Sequence, residues 1–167
     1  MTEETDSQVR VFDVETRFHA MARRPGGLPR EAAIQEADLN IEQMKPGFDE
    51  WVATELHELA KAIERARSGE PEAGWLESAG LRARAVRDVG TTMDCELLTF
   101  VADSLCEILD AIEAGSEWDA DTLVCHLDAL MLVRQPQYRG MNPLELPELT
   151  RGLRRLAERL GTAQSHA

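Results

Sequence analysis

The chain has 167 residues, with 31 acidic against 18 basic side chains and a formal net charge of −13. That length suits one domain whose core can fold without disulfide staples. A charge of this sign repels phosphate backbones and anionic membranes, so nucleic acid and membrane surfaces are excluded as general partners. The three cysteines, Cys95, Cys106 and Cys125, lack CxxC spacing and fall within helical patterns, which reads as reduced, small apolar residues. No apolar run approaches the roughly 20 residues of a membrane span, and Met1 to Gln8 is acidic where a signal peptide is basic and then apolar. A soluble, cytoplasmic protein is expected.

No segment alternates apolar and polar residues long enough for a sheet, so an all-α antiparallel helical bundle is predicted. An N-terminal arm, 1–27, carries Val11, Phe12, Val14, Phe18 and Met21 and ends at Pro25-Gly26-Gly27; it is either extended or briefly helical. Pro29 suits a first helical turn, and Ala33, Ile34, Ala37, Ile41 and Met44 follow at helical spacing. Pro46-Gly47 then predicts a break, with a separate helix carrying Phe48, Val52, Leu56, Leu59 and Ile63 and ending near Gly69. Trp75, Leu76, Ala79, Ala83 and Val86 form the next stripe, which stops at Gly90. The clearest helix holds Leu97, Leu98, Val101, Leu105, Ile108, Leu109 and Ile112 and ends at Gly115 as a glycine cap. Asp119 is the expected N-cap of a helix through Leu123, Leu127, Leu130 and Met131 to Arg134. Pro136, Pro143 and Pro147 mark a non-helical linker, 135–147. A last amphipathic helix, 148–161, sets Leu149, Leu153, Leu156 and Leu160 opposite Arg151, Arg155 and Arg159 and packs on the bundle or on a second subunit.

The chemical motifs are sparse. His57, in Glu55-Leu56-His57-Glu58-Leu59, falls about 140° from its helix's apolar stripe at 100° per residue and reads as a surface histidine, with Glu55 and Glu58 outward beside it. His126 falls about 60° off its stripe, a boundary position suited to a structural role. His19 and His166 lie in weakly specified ends. A carboxylate-bridged metal site in a bundle needs Glu-x-x-His, and no Glu precedes a His by three residues. Gly-x-Ser-x-Gly, Walker-type and His-Glu-x-x-His patterns are also missing, so hydrolase, NTPase and zinc-peptidase readings lose their signatures. No catalytic residue, metal or cofactor is assigned.

One segment does resemble a known family. Residues 83–110, ARAVRDVGTTMDCELLTFVADSLCEILD, are similar to the heart of histidine-phosphotransfer (Hpt) domains of a short alphaproteobacterial type, through Ala83, Gly90, Thr92, Leu97-Leu98-Thr99, Ala102-Asp103-Ser104-Leu105-Cys106 and Leu109. Upstream, GGLPREAAIQEADLNIEQMKPGFDEW resembles that group's opening, including Phe48 and Trp51, and Cys125-His126-Leu127-Asp128-Ala129-Leu130 resembles a later helix. Coverage is about residues 26–134. The resemblance implies a helical bundle with an exposed phosphorylatable histidine and a lysine three residues on; Arg84 and Arg87 stand at those positions here. Arg84 also falls about 140° from the apolar centre set by Ala79, Ala83 and Val86, so it is expected to face solvent. A guanidinium stays protonated and offers no nucleophilic nitrogen, so phosphoryl transfer at this position is lost. Asp88 and Asp94 replace glycines of the group and add bulk and negative charge where a receiver domain would dock.

The resemblance therefore implies a non-enzymatic, pseudo-phosphotransfer protein that binds a response-regulator receiver domain or a histidine kinase through Arg84, Arg87, Asp88, Thr91, Thr92 and Asp94. Ala83, Val86, Leu97, Leu98, Val101 and Leu105 would hold that helical hairpin together. The rival expectations are an adaptor or assembly protein acting through the C-terminal helix, with a homodimer as one form of assembly, and a phosphocarrier using His57 or His126.

Overall fold

The computed structural model describes residues 17, 25–68 and 74–162, without side chains for 160–162. Every regular element among the described residues is helical. The helices are α1 (Arg30–Arg67), α2 (Trp75–Gly90), α3 (Glu96–Glu113), α4 (Ala120–Val133) and α5 (Pro147–Thr162), with single 3-10 turns at Pro136–Tyr138 and Pro143–Glu145. The all-α bundle expected from the apolar spacing is what forms. Nearly all of the expected N-terminal arm lies outside the described residues, His19 included, and so does His166. Contacts divide the chain into Met1–Leu39 and Asn40–Ala167. In the first unit the described residues 25–39 form a turn, with Gly26 at φ +99°, and the start of α1, and only Ala32 is even partly covered.

The break expected at Pro46-Gly47 does not occur, because α1 runs unbroken through both residues. Pro46 removes one N–H from the helical ladder, but Glu42, whose carbonyl is left over, is exposed as Pro46 is, so that carbonyl can take water instead. On the opposite side Phe48, Val52, Leu56, Leu59 and Ile63 are buried in the core and hold the helix in register. Packing outweighs the local preference.

Helix α3 is the centre of the second unit. It buries Leu97, Leu98, Val101, Ala102, Ser104, Leu105, Cys106, Ile108, Leu109 and Ile112. That set is too wide for one stripe, and α3 accordingly packs against α2, α4 and α5. Its C-terminus closes as a glycine cap in which Gly115, at φ +94°, donates to the Ile112 carbonyl while Ser116 donates to Ala111. Helix α4 opens as the sequence indicates, with the Asp119 carboxylate accepting from the Thr122 amide at 2.8 Å and from its hydroxyl at 2.8 Å. Helix α5 buries Leu153 and lays Arg154 over the Phe100 ring at 5.5 Å from its centroid, so its apolar side is used on α3.

Two details fall outside the sequence reading. The linker 135–147 is compact, because Asn142 and Glu145 form a reciprocal cap on the turn at Pro143 and Arg139 pairs with Asp49 of α1. His126 is not at a boundary but wholly buried. Its Nδ1 lies 2.8 Å from the Thr122 carbonyl and its Nε2 3.1 Å from the Ser104 hydroxyl, which joins α4 to α3. A proton on Nδ1 satisfies the carbonyl and leaves Nε2 to accept from Ser104, so the neutral ring meets both partners.

Burial pushes the His126 pKa below its ordinary value, partly opposed by the bond to Thr122. A group with a depressed folded pKa binds more protons when unfolded once the pH drops below about 6.5. The stability His126 confers is therefore complete above that pH and drains away as the pH falls toward the folded value. Chemical denaturation between pH 7.5 and 5 is expected to show this loss in the native chain and a flatter profile in His126→Gln.

Candidate functional site

The candidate site is the outer surface of the α2–α3 hairpin. Ala79, Ala83 and Val86 are fully buried on α2, and their spacing turns the intervening arginines away from the core. The three arginines have different neighbours. Arg82 reaches α1, where its Nη1 donates to both oxygens of Glu55 at 3.2 and 3.0 Å. Glu55 is buried, 8% exposed, which corrects the outward orientation expected for it. A carboxylate so placed needs its guanidinium partner. His57 is exposed, as its helical phase indicates.

Arg84 and Arg87 lean toward α3. Arg84 Nη2 pairs with Asp110, while Arg87 donates from Nε to Asp88 at 2.9 Å and has Nη1 3.7 Å from Asp103. Their side chains are 41% and 33% exposed. Arg84 thus reaches solvent off the core, as expected, but is paired there. Its helical phase does point it off the core, but a long side chain beside a second helix bends to the nearest carboxylate. Beneath them Cys106 is buried and burial pushes its thiol up to about 11, so it is uncharged near neutrality and competes for neither arginine.

The remaining expected site residues line the end of the hairpin. Asp88, Thr91, Thr92 and Asp94 are all exposed. Thr91 bonds across the hairpin to the Thr99 hydroxyl at 3.2 Å. Asp94 has φ 61°, the left-handed region that glycine adopts freely and aspartate tolerates, and its carbonyl accepts from Gly140 at 3.0 Å. The six residues therefore occupy one hairpin, with Arg84, Arg87 and Asp88 on α2 and Thr91, Thr92 and Asp94 at its turn. Sequence reasoning missed Asp103 and Asp110 as their counter-charges. The signal was present, since Asp103 and Asp110 are seven residues apart on one flank of α3. What it lacked was the register of α3 against α2.

Two glycines of α2 fix this geometry. Gly80 lies under the Arg84 guanidinium, and a Cβ there would meet Nη1 at 2.7 Å. Gly90 lets the hairpin close, since a Cβ there would meet Thr99 Oγ1 at 2.4 Å, the Thr99 amide nitrogen at 3.3 Å and the Cys95 carbonyl at 3.4 Å. Among the described residues no group of three or more His, Cys, Asp or Glu side chains is arranged to hold a metal ion.

The two glycines should respond oppositely to alanine. At position 80 only a flexible guanidinium must move, so helix propensity dominates and Gly80→Ala is expected to stabilise the fold by up to about 1 kcal/mol. At position 90 backbone must move, and Gly90→Ala is expected to destabilise it by about 1–3 kcal/mol. Urea denaturation midpoints of the two variants check the pair of signs. Comparison of the chain with protein-family models, with curated proteins and with solved structures returns no match.

Proposed function

We propose that this protein binds a signalling partner of the two-component type, a receiver domain or a histidine kinase, without carrying a phosphoryl group. The observation that carries this reading is the pair Arg84 and Arg87, one turn apart on the outer flank of α2, at the positions where the resemblance to Hpt domains implies a phosphorylatable histidine and its lysine. Both guanidinium groups are partly solvent-exposed and held by surface carboxylates. Guanidinium is suited to gripping carboxylate or phosphate, and its permanent protonation denies it a role as phosphoryl acceptor.

The histidines support the same reading. His126 is fully buried with both ring nitrogens engaged, so neither is presented to a donor. His57 is exposed, but it belongs to α1 and lines a shallow cleft with Lys61, Arg67, Val124 and Leu127, away from the arginine pair. The arginine flank is thus the part of the molecule that best fits a partner, and the partner it fits bears acidic groups.

The test is capture of purified receiver domains and kinase fragments by the native chain, by Arg84→Ala and by Arg87→Ala. Each substitution is expected to weaken capture by about tenfold or more, which is roughly 1.4 kcal/mol for an arginine at a binding surface. Equal recovery by all three chains would remove the proposed face.

A further inference from the structure

Arg84 is not presented as a binding group would be. Its Nη1 sits against Gly80, 2.7 Å from where a Cβ would stand, and its Nη2 is paired with Asp110. The two Nη atoms form one of the two edges with which a guanidinium grips a carboxylate in bidentate fashion, and here that edge is directed at the chain's own α2 and α3. Only a helix position without a side chain leaves room for this pose. Arg87 is engaged differently, its Nε donating to Asp88 at 2.9 Å and its Nη1 lying 3.7 Å from Asp103. Asp88, Asp103 and Asp110 thus already engage both guanidinium groups within the chain.

We infer that Asp110 and the Gly80 seat form an intramolecular latch on Arg84, and that a partner engages this face by substituting its own carboxylates for Asp110. This rests on the proposed binding role of the arginine flank. Asp110 is 56% exposed, and a pair so accessible to water exchanges at little cost, so the latch is weak enough for a partner to open. The latch sets the affinity for the partner and discriminates among partners. A surface with a single carboxylate gains little by displacing an equivalent one, whereas a cluster that engages Arg84 and Arg87 together brings its charge-assisted contacts from one rigid body, so the second forms at a high effective concentration. The inferred partner surface is therefore a cluster of carboxylates spaced to meet two guanidinium groups one helical turn apart.

The latch separates from simple binding because it can be weakened from either side without touching Arg84. Asp110→Asn removes the competing charge, and Gly80→Ala lifts the guanidinium off its seat while favouring the helix. Titration of the native chain and its variants against a panel of purified receiver domains, at fixed ionic strength, reads the outcome. Both variants are expected to bind about two- to fivefold more tightly, the range set by one exposed ion pair, whereas Arg84→Ala binds more weakly. Glu107→Gln, which removes an exposed negative charge from α3 that has no part in the Arg84 pair, should change the affinity less than Asp110→Asn. Weaker binding by Arg84→Ala with no gain in Asp110→Asn and Gly80→Ala would overturn the latch and leave the binding role standing. An equal gain from Glu107→Gln would also overturn it, since the effect would then be general charge repulsion. Unchanged binding by Arg84→Ala, or no detectable binding by any variant, overturns both.

Discussion

Helix α3 is apolar over too much of its circumference to be covered by one neighbour. Ten of its eighteen residues are buried, so helices must lie on several of its sides, and α2, α4 and α5 do. The other features follow from this demand. The hairpin α2–α3 closes tightly because Gly90 admits Thr99 and the Cys95 carbonyl. Helix α4 is joined to α3 through the buried pair of His126 and Ser104. Helix α5 is held by Leu153 and by Arg154 over Phe100. With three sides of α3 enclosed, the flank bearing Asp103 and Asp110 stays near the surface, where α2 brings its arginines within reach.

Much of this was legible in the chain. The stripe from Leu97 to Ile112, the glycine stop at Gly115 and the Asp119 cap are local signals, and local signals fold locally. Ala83, Val86, Leu97, Leu98, Val101 and Leu105, read as the grip of the hairpin, are all essentially without solvent exposure. Pro46-Gly47 misled for a physical reason. Proline's cost is a helix-propensity term of about 3 kcal/mol, and the apolar face of α1 is long enough to offset it. His126 misled because a helical wheel is drawn around one helix and cannot show that a second helix covers the boundary.

The site was legible in its residue types but not in its state. Arg84 and Arg87 can be placed on one flank from spacing alone. That Asp110 holds Arg84, and that Gly80 lets it, depends on the register of two helices, which brings together residues 26 apart in sequence. The distinction matters for function. A guanidinium in open water binds whatever acidic surface arrives, whereas one already paired binds only a surface that does better than its own aspartate. Chemistry adds a second constraint, since arginine at this position can hold a phosphoryl-bearing partner but cannot take its phosphoryl group.

Binding without transfer is tested most directly by mixing the protein with a radiolabelled phospho-receiver and with an autophosphorylated kinase, then resolving complex from free protein while following the label. The expected result is a complex that depends on Arg84 and in which the label never passes to this chain. Acid-labile label on His57 or His126 would contradict it.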